Sequence, residues 1–144
     1  MKIVIAGSGE VGSHLAKLLS KEDHDIIVID RDRRRLLALD SYNLITHMGK
    51  PTSFQAMKYV GMRDCDLFIA VTPYETENVV ACSIAKSLGA RKTVARIDNY
   101  EFYNPENREY FEKAGVDDLI YPENLAAEEM LLALKHTWVR NWFE

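Results

Sequence analysis

Six consecutive residues carry the clearest chemistry in this chain: Gly7, Ser8, Gly9, Glu10, Val11 and Gly12, a G-x-G-x-x-G run directly after the apolar stretch 3–6. Such a run binds phosphate when a strand feeds it and a helix leaves it. The first glycine permits a tight turn, the second removes the side chain that would obstruct a pyrophosphate, and the third lets helix and strand pack closely. Phosphates would then meet the N–H groups and the positive dipole end of that helix. Asp30 follows 18 residues after Gly12, at the end of the next apolar run, where a carboxylate can accept from ribose hydroxyls. A carboxylate there repels a 2′-phosphate. It therefore favours NAD or NADH over NADP(H), with ATP, ADP or AMP as the alternative ligands.

Four further positions bear on the same chemistry. Arg31, next to the acid, can pair with a phosphate, or it belongs with Arg33, Arg34 and Arg35 to a solvated helix start. Thr72, in the run Val71-Thr72-Pro73 after a later strand, can offer a hydroxyl or an amide to the second half of a dinucleotide; a plain strand-to-helix turn explains it equally. Arg96 interrupts an apolar run and is costly to bury without a carboxylate or phosphate partner. A phosphate contact and a structural salt bridge both satisfy it.

The elements that must position these residues alternate strand and helix, which predicts a Rossmann-type, doubly wound α/β fold with a six-stranded parallel sheet. Strands are expected near 3–6, 26–29, 44–47, 66–71, 93–97 and 118–121. Val11, Leu15, Leu18 and Leu19 mark one face of the first helix. Asp32 caps the second, and Thr52-Ser53-Phe54-Gln55 reads as a capping box for the third. A helix over 75–88 shows Val80, Ile84 and Leu88 on one face, and another is expected over 106–114. Residues 1–122 thus form a nucleotide-binding domain. Residues 123–144 form a C-terminal helix and tail, apolar around most of the circumference near Met130 and Leu134, either laid over its own sheet or meeting a second subunit or a downstream domain.

Composition narrows the partners. The 144 residues are 47% hydrophobic and 28% charged with a net charge of −4, ordinary for a globular protein and unfavourable for nucleic acid or an acidic membrane surface. No run approaches the roughly 18 apolar residues of a membrane span, so no membrane insertion is expected. Cys65 and Cys82 lie in apolar surroundings and read as buried thiols of a reducing cytoplasm. The four histidines are scattered, so no metal site is expected. No Tyr-x-x-x-Lys pair, serine elbow, paired-carboxylate motif or P-loop occurs, which leaves a binder without a reaction. The alternative is the coenzyme half of a dehydrogenase whose catalytic half lies elsewhere.

Three stretches, 1–32, 66–97 and 117–130, resemble the nucleotide-binding half of RCK/KTN (TrkA-N) domains, regulatory components of Trk-type bacterial potassium uptake systems. The resemblance implies a cytoplasmic domain that binds NAD(H) or adenine nucleotides. It also implies homo-oligomers, as dimers and higher rings, peripheral to the inner face of the plasma membrane beneath a potassium transporter subunit. By the family pattern Gly7, Gly9 and Gly12 hold phosphates, Asp30 holds the ribose, Thr72 lies at the cleft and Arg96 near the phosphates. Glu10 matches the Trk type, whereas the Ktr type tends to carry a basic residue there that favours ATP. Gly49-Lys50 departs from the family's usual Gly-Asp near the adenine. A helix crossing to a neighbouring subunit is implied after the sixth strand. Trk regulators normally continue into a second lobe, so a longer parent chain is expected.

Overall fold

The computed structural model describes residues 1–121 and Leu132. Six parallel strands are ordered β3-β2-β1-β4-β5-β6: β1 Lys2–Ala6, β2 Asp25–Asp30, β3 Ile45–Met48, β4 Leu67–Ala70, β5 Thr93–Arg96 and β6 Asp118–Ile120. This is the doubly wound order, in which the chain reverses its direction of winding between β1 and β4. The central strands are buried on both faces, as continuous apolar runs require. All four residues of β4 are buried, whereas edge strand β3 exposes Ile45 and Met48.

Alternation divides the core in two. Ile3 and Ile5 face the side covered by α1 (Glu10–Ser20) through Leu15 and Leu19 and by Leu36 of α2 (Arg33–Leu37). Val4 and Ala6 face the side covered by α3 (Phe54–Val60), α4 (Glu75–Ser87) and α6 (Arg108–Lys113). Each fully buried Leu, Ile or Phe contributes roughly 1.5–3 kcal/mol, while an exposed pair such as Lys113–Glu109 contributes about 0–1 kcal/mol. The two apolar layers therefore hold the fold. Cys65 and Cys82 are buried within it, and burial pushes the Cys65 thiol up to about 12 and that of Cys82 higher still.

Three local expectations are corrected. Ser53, not Thr52, caps α3, its hydroxyl accepting from Ala56 N–H at 3.2 Å. The helix expected over 106–114 is present as a 3₁₀ turn over Pro105–Asn107 leading into α6, and a short α5 (Tyr100–Tyr103), not among the expected helices, precedes it. Pro105 holds Asn104 in an extended conformation, and Asn99 and Asn104 each cap a short segment. The buried face of α4 runs through Asn78, Ala81, Cys82, Ile84 and Ala85, so Ile84 stands where expected while Val80 is exposed. Small residues bring α4 close to the sheet, and a buried asparagine belongs to that face. Of the helix expected over 123–136 only Leu132, which is exposed, is among the described residues; Met130 and Leu134 lie outside them. No described helix is long and apolar enough to cross a membrane.

Candidate nucleotide site

The C-terminal ends of β1, β2 and β4 open into a cleft of about 240 Å³ walled by Gly7, Gly9, Asp30, Arg31, Asp32, Arg35, Pro51, Thr72, Pro73, Tyr74 and Glu77. It stands at the reversal point of the sheet, where folds of this order bind ligands. Gly7 leaves β1 with φ +106° and still extends the ladder, its N–H donating to Ile29 O at 2.9 Å. A Cβ on Gly7 would stand 3.0 Å from Thr72 N. Gly9 caps α1, and among the described residues no side chain bonds the first-turn N–H groups, which leaves them open to an anion. Gly12 is buried behind the turn, and a Cβ there would stand 1.9 Å from Gly7 O. The three glycines thus have three different reasons: conformation, open space and contact.

Asp30 is 7% exposed and works first on the protein itself. Its Oδ2 accepts from Ser8 N–H at 2.7 Å and from the Ser8 hydroxyl at 2.8 Å, and its Oδ1 accepts from Asp32 N–H at 2.7 Å. A carboxylate offers about four lone-pair sites, so these three bonds fix the turn and leave capacity for about one more donor. Ser8 is buried beneath the turn, Glu10 is exposed and Val11 is half-buried. Arg31 reaches across the cleft, where its Nη2 pairs with Glu77 Oε1; Glu77 is 12% exposed.

Thr72 lies on the opposite wall with both polar groups engaged. Its N–H and hydroxyl donate to Asn78 Oδ1 at 3.0 and 2.6 Å. Asn78 Nδ2 donates to Thr72 O at 2.9 Å and to Arg96 O at 3.0 Å. Asn78 therefore joins the loop after β4 to the end of β5. Arg96 is not part of the cleft wall; its Nε lies 3.7 Å from Asp98 Oδ1 and, though buried, has no hydrogen-bond partner among the described residues. Lys50 is exposed, and Pro51 beside it forms the wall. A larger hollow of about 330 Å³ under α6 contains none of the glycine turn, and its Arg108 is already bonded to Glu112 and Asp118.

Three contributors were not singled out from the sequence: Glu77, Asn78 and Arg35. Glu77 and Asn78 sit on a helix whose pattern announces only core packing. Replacing Asn78 by alanine is expected to lower unfolding stability by about 2–4 kcal/mol, since buried Thr72 and Arg96 groups lose their partner. The urea midpoint of the purified chain checks this.

The open space beside Gly9, the uncapped helix and the acid at the end of β2 together fit a pyrophosphate and a ribose. Fold and site define a Rossmann-type α/β domain. The family model described as TrkA-N domain matches residues 3–122, and the chain belongs to that family. It is 37% identical over 133 residues to the Trk system potassium uptake protein TrkA of Haemophilus influenzae, covering 90% of this chain and 29% of that protein. This chain therefore spans under a third of that relative. The TrkA-N domain of the Escherichia coli inner membrane protein ybaL superimposes with TM-score 0.73 at 21% identity, over 92% of this chain and 96% of that one. A GsuK channel structure with bound NAD superimposes with TM-score 0.67 at 18% identity, over 83% of this chain and 21% of that one.

Proposed function

We propose that this chain is a nucleotide-sensing regulatory domain of a potassium uptake transporter, binding NAD or NADH and passing its occupancy to an ion gate. The observation that carries the reading is the uncapped glycine turn braced by Asp30 at the reversal point of the sheet. Membership of the TrkA-N family and the potassium-uptake naming of its relatives support the choice of system. The nucleotide is read rather than consumed: relatives of the chain are named for potassium uptake, and the titratable groups lining the cleft among the described residues are Asp30, Asp32, Glu77, Arg31, Arg35 and the exposed Tyr74.

In this reading the phosphates lie on the first-turn N–H groups of α1, beside Gly9, and Asp30 uses its remaining lone pair on the ribose. Arg96, whose Nε has no hydrogen-bond partner among the described residues, turns toward the phosphates in the assembled protein. Arg31, held by Glu77, is withheld from a 2′-phosphate, which favours NAD(H) over NADP(H). The domain works on the cytoplasmic face, as a homo-oligomer beneath a membrane transporter subunit. A ligand shifts such a gate only by its differential affinity for two states of the assembly, typically about 1–3 kcal/mol.

Thermal shift of the purified chain against NAD, NADH, NADP, ATP, ADP and AMP tests the ligand assignment. NAD or NADH is expected to raise the melting temperature most and NADP least. Stabilisation by NADP equal to that by NAD would sink the ribose assignment, and no response to any nucleotide would sink the whole reading.

A further inference from the structure

Four arginines cluster at positions 31, 33, 34 and 35, and the structure separates them. Arg33 and Arg34 are exposed on α2, whereas Arg31 and Arg35 line the cleft. Arg31 is committed to Glu77. Arg35 is placed otherwise: its Nη1 lies 3.7 Å from where a Cβ on Gly9 would stand. The guanidinium thus borders the space that the second glycine leaves open.

Among the described residues, the one ion pair of Arg35 is loose, Nε lying 3.6 Å from Asp32 Oδ2. That exceeds hydrogen-bond length, and exposed pairs of this kind contribute little. Asp32 is meanwhile employed as the cap of α2, its Oδ1 accepting from Arg34 N–H at 2.9 Å. Charge makes the same point. The cleft sets the carboxylates of Asp30, Asp32 and Glu77 against two guanidinium groups, so an entering diphosphate needs a cation that is not already spoken for. A guanidinium fork matches two phosphate oxygens at once.

We propose that Arg35 is a phosphate ligand of the cleft, leaving Asp32 for the linked phosphates of a nucleoside diphosphate or dinucleotide. Binding then depends on the phosphate pair and not on the adenosine alone. This rests on reading the cleft as a nucleotide site.

The test is calorimetric titration of the full chain with ADP and with NADH. Wild type is compared with Arg35→Ala, Arg35→Lys and, as a neighbour off the cleft, Arg34→Ala. Arg35→Ala is expected to weaken both ligands by about tenfold to hundredfold, the range of a lost charged hydrogen bond. Arg35→Lys should restore part of the affinity and Arg34→Ala should change little. The unliganded melting temperature of Arg35→Ala should match wild type, because the side chain is half exposed. Wild-type affinity in Arg35→Ala would overturn the assignment while leaving the nucleotide site standing. An equal loss in Arg34→Ala would overturn it too, by reducing the effect to the general field of the cluster. Failure of the wild-type chain to bind either ligand would overturn this inference together with the reading beneath it.

Discussion

Gly12→Ala is expected to destabilise the native fold by more than about 3 kcal/mol, while Gly9→Ala, three residues away, is expected to leave the fold intact and remove nucleotide binding. The contrast follows from what each new methyl would meet. At Gly12 the Cβ would stand 1.9 Å from Gly7 O and 2.8 Å from Gly7 C, both backbone atoms of the turn. No rotamer change relieves such a contact; α1 must move off β1. That movement opens the layer where Leu15 and Leu19 pack on Ile3 and Ile5. Overpacking against mobile side chains costs about 1–3 kcal/mol. Here the obstacle is main chain, so a loss above 3 kcal/mol is expected from a total of about 5–15 kcal/mol. At Gly9 the backbone is ordinary, with φ −70°, and the nearest atom to a Cβ is Arg35 Nη1 at 3.7 Å. Alanine fits there without strain and fills the space that the proposed nucleotide site gives to a phosphate. Urea unfolding with nucleotide titration separates the two outcomes. A Gly12→Ala protein with wild-type stability, or a Gly9→Ala protein with wild-type affinity, contradicts the roles given to these glycines.

These glycines and Asp30 were legible in the sequence because their signal is local: a tight turn, a helix start and an acid one strand on, in fixed chain order. The parallel sheet was legible for a related reason, since strands buried on both faces read as unbroken apolar runs. Asn78, Glu77 and Arg35 were not, because their roles depend on the sheet bringing distant segments together. Asn78 has the right spacing for a core position of α4 and no apolar character. Its meaning appears only once Thr72 and Arg96 are beside it. Val80 misled for the converse reason: it is apolar at helical spacing, yet the small residues Ala81 and Ala85 make the face that approaches the sheet. Arg35 looked like one of four solvated cations, and only α2's placement distinguishes it from Arg34. For Arg96 the sequence left a salt bridge and a phosphate both open. Its 3.7 Å contact with Asp98 is a weak form of the first and leaves Nε available for the second.

At Asp30, stability and specificity should separate between two substitutions. Asp30→Ala removes the acceptor for two backbone N–H groups and the Ser8 hydroxyl in a site that is 7% exposed. A loss of about 2–4 kcal/mol is expected, a fall in melting temperature of roughly 5–15 °C for a domain of this size. Weakened binding in that variant would therefore not by itself show that Asp30 touches the ribose. Asp30→Asn is the sharper probe. Its remaining oxygen can still accept from Ser8, so most of the turn is kept, while the negative charge is gone. Two unit charges about 5 Å apart interact by about 3 kcal/mol at an effective dielectric constant of 20. Removing that repulsion should improve NADP relative to NAD by tenfold or more, even though affinity for NAD itself falls with the lost ribose bond. The quantity to measure is the ratio of the two dissociation constants in wild type and in Asp30→Asn. An unchanged ratio would mean that the carboxylate only braces the turn and that discrimination lies elsewhere, with the Arg31–Glu77 pair as the next group to substitute.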